Sequence, residues 1–103
     1  MTKISEYLDA RYQGRLCAVA ERDFVERVCH RHIERGFADA NFVENLCSGS
    51  ETKYWQALSE ALFGCELVEA RLHVEPSRPA GPDFLIVHQG RKIWIEVTCP
   101  EPK

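Results

Sequence analysis

Two carboxylates stand in strongly apolar surroundings near the end of the sequence. Asp83 opens Asp83-Phe84-Leu85-Ile86-Val87, and Glu96 lies within Ile93-Trp94-Ile95-Glu96-Val97-Thr98. A carboxylate in an apolar strand costs free energy unless it is hydrogen-bonded, paired or bound to a cation. His88-Gln89-Gly90-Arg91 separates the two runs, and Gly90 suits the positive φ of a tight reversal, so the pair reads as a β-hairpin. In an antiparallel hairpin the start of one strand lies beside the end of the other, which brings Asp83 and Glu96 together. Two such carboxylates repel, and a hard cation such as Mg²⁺, or Mn²⁺, relieves the repulsion through oxygen ligands. A cation held there activates water and neutralises charge building on a phosphoryl group. The structural alternative is that Asp83 caps a turn after Pro82 while Glu96 pairs with Arg91, Lys92 or Arg71.

Helices have to carry this hairpin. Ile4, Tyr7 and Leu8 predict a short helix over about 5–12, with Gly14 as its stop. Phe24, Val25, Val28, Cys29 and His32 or Ile33 share one side of a second helix over about 20–35, ended by Gly36. Arg27, Arg31 and Arg35 line another side as a possible phosphate stripe, but Glu21, Asp23, Glu26 and Glu34 interleave with them, as on a salt-bridged solvated face. A third helix is expected over about 39–47, broken by Ser48-Gly49-Ser50. Ser50 is the natural N-cap of a fourth, Glu51 to Phe63, with Tyr54, Trp55, Leu58, Ala61 and Leu62 inward and Gly64 as its end. Beyond Gly64 the apolar period becomes two, which predicts a half-exposed strand over 65–74. Three prolines among residues 76–82 then make a loop.

The bulk numbers bound the rest. With 103 residues, 45% hydrophobic and 28% charged, the chain makes one modest globular domain. The helical region 1–49 and the strand-rich region 50–103 are expected to pack as a single α+β or α/β unit. A net charge of -3 gives no global attraction to polyanions, so nucleic-acid contact needs a local patch. No membrane-length apolar run and no signal-peptide core are present, and a cytoplasmic location is expected. Cys17, Cys29, Cys47, Cys65 and Cys99 are scattered, as reduced thiols are, and no disulfide is expected. Cys29 and His32 share a helix face as a conceivable zinc pair, but His30 points away and no second ligand pair follows.

The order helix, edge strand, Pro-Asp strand and Glu-x-x strand, over about Glu51 to Thr98, resembles the core of the PD-(D/E)XK nuclease superfamily, the restriction endonuclease-like fold. The resemblance implies a helical half followed by a three-stranded, mostly antiparallel sheet, and hydrolysis of DNA or RNA phosphodiesters with Mg²⁺ or Mn²⁺. It implies that Asp83 and Glu96 bind the metal and that an acidic residue of the preceding helix adds a ligand. Gln56 occupies the position where related sequences often have that acid, and Glu60, one turn on, could serve instead. The third motif position, usually lysine, is Thr98, which can hydrogen-bond a water but cannot stabilise developing hydroxide as an ammonium does. Lys92 or Arg91 would have to reach in from the hairpin turn to replace it. The family core continues into a further helix and strand where this sequence has only Cys99-Pro100-Glu101-Pro102-Lys103. That implies an unfinished sheet and association, as a homodimer, through its edge. Two other functions are compatible with the residues: a catalytically silent domain of the same fold, and a small α+β binding or assembly module.

Overall fold

A computed structural model describes residues 3–14, 18–75 and 83–98. Four helices, α1 (Lys3–Arg11), α2 (Ala18–Glu34), α3 (Phe42–Leu46) and α4 (Glu51–Glu69), precede three strands, β1 (His73–Glu75), β2 (Phe84–His88) and β3 (Arg91–Ile95). The strands form one antiparallel sheet in the order β1-β2-β3, an α+β arrangement. His73 pairs with Val87 and Glu75 with Leu85, while Phe84 pairs with Ile95 and His88 with Arg91. Among the described residues no helix is long and apolar enough to cross a membrane.

Local chemistry accounts for most of the boundaries. Ser50 caps α4, its hydroxyl accepting from the Lys53 amide at 3.3 Å. The α2 helix stops as expected at Gly36, whose φ of 76° lets the amides of Gly36 and Phe37 bond back to the carbonyls of Ile33 and His32. The hairpin turn is Gln89-Gly90, with φ of 50° and 77°, the two positive values that a two-residue turn between twisted strands requires. The third helix is shorter than its periodicity predicts, because Asp39 accepts the Asn41 amide on its side chain and holds a turn before Phe42.

The fourth helix departs furthest from the expected boundaries. It does not end at Gly64 but runs to Glu69, so the first half of the strand expected over 65–74 is helix and only His73–Glu75 pairs in the sheet. Arg71 terminates it in the left-handed conformation, φ 61°, with its own amide on Val68 and the Leu72 amide on Leu67. Gly64 has a packing role instead. A Cβ built there would lie 3.1 Å from two Phe84 ring carbons and 3.3 Å from His32 Nδ1. Gly64→Ala is therefore expected to lose about 1 kcal/mol despite its better helix propensity, since overpacking costs about 1–3 and the propensity gain is only about 1. A chemical-denaturation midpoint at or above the parent's would contradict this.

The long α4 is shared by two cores. Its first half packs Tyr54, Ala57, Leu58 and Ala61 against α1, α2 and α3 through Leu8, Val25, Val28, Cys29 and Leu46. Its second half packs Leu67 against Phe37, Phe84 and Ile86, with the partly buried Ile95 and Val97. His32 stands at the seam, with ring centroids 4.9 Å from Phe42, 6.0 Å from Phe37 and 6.1 Å from Phe84. Trp55, expected inside, is 40% exposed, and its indole N–H donates to Glu51. Tyr54 takes the buried place, under the Arg11 guanidinium, which lies 3.7 Å from the ring centroid and chelates Glu51.

Candidate functional site

The sheet begins at the side of α4. Gln56 and Glu60 are one turn apart on that helix, and Asp83 directly precedes β2. The Val97 backbone ties Gln56 to Asp83. Its amide donates to Asp83 Oδ2 at 2.7 Å, and its carbonyl accepts from Gln56 Nε2 at 2.6 Å. Hairpin geometry explains why Val97 can do this. The pair His88↔Arg91 closes a two-residue turn and is hydrogen-bonded, so alternate residues 91, 93 and 95 direct their amides towards β2. Continued beyond Ile95, that alternation turns the Val97 amide towards Asp83.

Glu60 meets Asp83 through a side-chain hydrogen bond. Burial pushes the Glu60 carboxyl up to about 8, helped by the charge of Asp83, the hydrogen bond to it and the charge of Asp39. Near neutral pH the Glu60 carboxyl is therefore mostly protonated beside Asp83. Beside them is a cavity of about 180 Å³ lined by Asp39, Phe42, Asn45, Thr52, Lys53, Gln56, Ala57 and Glu60. Asp39 comes from the α2–α3 connection and has no counterpart in the expectations from sequence. The sequence placed it at the start of the third helix, and its approach to Glu60 depends on how α3 packs on α4.

The expected site residues divide accordingly. Asp83, Glu60 and Gln56 are brought together, Gln56 joined to Asp83 through Val97 and Glu60 lying against Asp83. Glu96 and Thr98 are exposed. Ile95 and Val97, on either side of Glu96, both pack against the second core, so strand alternation places Glu96 with Lys92 and Trp94 on the other side of the sheet. Lys92 is exposed and pairs with Val87 near the turn, at the opposite end of the hairpin from Asp83. Among the described residues, no group of three His, Cys, Asp or Glu side chains is arranged to hold a metal ion. Pro82 and the rest of the proline-rich loop lie outside the described residues.

Near this cluster, His32 is 1% exposed, and neither ring nitrogen has a protein hydrogen-bond partner among the described residues. Burial lowers it to about 4, against the opposing pull of Asp39 and Asp83. Cys29 is a buried free thiol pushed up to about 12, chiefly by burial, so it is not poised as a metal-ligating thiolate. The α2 charges form a bonded network around Arg22, whose guanidinium reaches Asp9, Asp23, Glu26 and Ser5. Of the three arginines in the stripe, Arg27 lies over the Phe24 ring and Arg35 donates to Cys65 Sγ. No protein-family model, curated protein sequence or solved structure matches the chain.

Proposed function

We propose that the chain is a divergent metal-dependent nuclease-like domain, acting on nucleic-acid phosphodiesters at the carboxyl pair of Glu60 and Asp83. The observation that carries this reading is the meeting of those two groups, one from the helix before the sheet and one from the start of its second strand. Their oxygen-only donor chemistry suits Mg²⁺ or Mn²⁺. Glu60 and Asp83 would hold the ion, which when bound supplies a polarised water and positive charge opposite phosphoryl oxygens. The chain's own contribution is positional. The Val97 amide fixes one Asp83 oxygen, and Gln56 anchors the Val97 carbonyl, so the strand ends cannot drift from α4. Thr98 offers no ammonium to a developing hydroxide, so turnover is expected to be slow.

A second reading is favoured by the same bonds. Asp83 is already satisfied by the Val97 amide and by Glu60, which is what a purely structural clasp in a binding or assembly module requires. Titration with Mg²⁺ and Mn²⁺, followed by thermal unfolding, separates the two. For the metal reading, an ion at about ten times its Kd should add about 1.4 kcal/mol of stability. The gain should vanish in Glu60→Gln and Asp83→Asn, each checked for native circular dichroism. Cleavage of plasmid and single-stranded substrates should follow the same pattern. Stabilisation without cleavage would leave a silent metal-binding domain, and no stabilisation by either ion would leave the clasp.

A further inference from the structure

We propose that β3 is a homodimer edge, pairing antiparallel with β3 of a second copy so that Trp94 lies opposite Trp94 and Lys92 opposite Glu96. In the order β1-β2-β3 one side of β3 is occupied by β2, and among the described residues no strand occupies the other. This edge is apolar where a free edge is usually blunted: Ile93 is 47% and Trp94 52% exposed. Such an edge is a template for another strand, and its residues specify which one.

Backbone geometry restricts the register first. Arg91, Ile93 and Ile95 direct their amides and carbonyls towards β2, so those of Lys92, Trp94 and Glu96 face outwards. A two-fold axis normal to the sheet must pair outward-facing residues with one another, so the strands can slide only in steps that keep even numbers opposite even numbers. Side chains then select among those registers. Centred on Trp94, both copies set Lys92 against Glu96 and Ile93 against Ile95, with the indoles side by side. All of these cross-strand pairs are favourable. Moved one step, the register sets Lys92 against Trp94 and Arg91 against Ile95. Moved one step the other way, it sets Glu96 against Trp94. Only the centred register matches opposite charges and apolar partners together. A lysine in an edge strand ordinarily discourages pairing, but here its reach to Glu96 makes it selective for the same strand in another copy.

The test is charge reversal read by sedimentation equilibrium, independent of metal binding and of cleavage. The unaltered chain should show twice its 11.8 kDa. Lys92→Glu and Glu96→Lys each turn both charge pairs into like pairs and should weaken association about tenfold or more. Mixing the two variants restores opposite charges in a heterodimer, as does combining both substitutions in one chain, and each should recover the dimer mass. Lys92 and Glu96 are exposed, so the variants should keep the parent circular dichroism. A monomer at all concentrations, a dimer indifferent to both reversals, or no recovery on mixing would each overturn the proposal.

Discussion

Stability is expected to fall by about 3 kcal/mol as the pH is lowered from 6.5 to 4, through His32 alone. Folded, the ring is enclosed by Phe37, Phe42 and Phe84 and by the backbone of Gly64, and it remains neutral down to about 4. Unfolded, it takes up a proton at its ordinary value of 6.5. The folded value is thus the lower, so the stability is fully present above 6.5, declines as protons bind the unfolded chain, and levels off below 4. His32→Leu keeps an apolar side chain of similar volume in the seam and removes the titration. Urea midpoints of the parent and variant, measured between pH 4 and 7, should therefore converge or cross as the pH falls. Parallel curves would mean that another group carries the acid sensitivity. The expected cost is large because the loss is undiluted: solvent does not reach the ring, and Asp39 and Asp83, the charges that favour the imidazolium, are outweighed by burial.

Glu60 produces the opposite slope. Its folded value of about 8 lies above the ordinary 4.5, so the stability tied to its proton is complete below 4.5 and is lost as the pH rises through 8. Glu60→Gln keeps the shape and a donor for Asp83 but cannot ionise. At pH 9 the variant should be more stable than the parent by on the order of 2 kcal/mol, a figure below the full shift because Glu60 is only partly buried and solvent screens its charge. At pH 5 the two proteins should be nearly equal. An equal difference at both pH values would show that amide packing, not the buried charge, is responsible. Between about pH 4.5 and 6.5 the His32 and Glu60 slopes largely cancel, so the parent's stability should be nearly flat there, falling below that window through His32 and above it through Glu60.

These two residues also show where a sequence is informative and where it is not. Glu60 was legible as a helix residue one turn from Gln56, and Asp83 as a carboxylate at a strand start. That they meet was not legible, because it depends on the height at which β2 docks on α4. His32 was visible as one of two candidates for the inner face of α2. Its enclosure by three phenylalanines required the α2–α3 connection and β2 to converge from distant parts of the chain. The α4 boundary failed for a related reason. Gly64 looks like a stop because glycine is poor in helices, yet here the helix gains from its lack of a side chain by packing directly on Phe84. The actual stop is Arg71, whose left-handed conformation is supported by Leu67 and Leu72 in the second core, a tertiary contact that local propensity does not contain.

What the sequence determined by itself is local: the α-then-β order, the Ser50 cap, the Gly36 stop, the Gln89-Gly90 reversal and the presence of carboxylates in apolar strands. Each follows from side-chain chemistry acting on its own few residues of backbone. Tertiary structure decided what those carboxylates face. Sheet alternation sends Glu96 outward with Lys92 and Trp94, while the docking of β2 on α4 turns Asp83 inward to Glu60 and the Val97 amide. The pairing of Asp83 with Glu60 is therefore made between elements, where contact depends on packing distance and not on spacing along the chain.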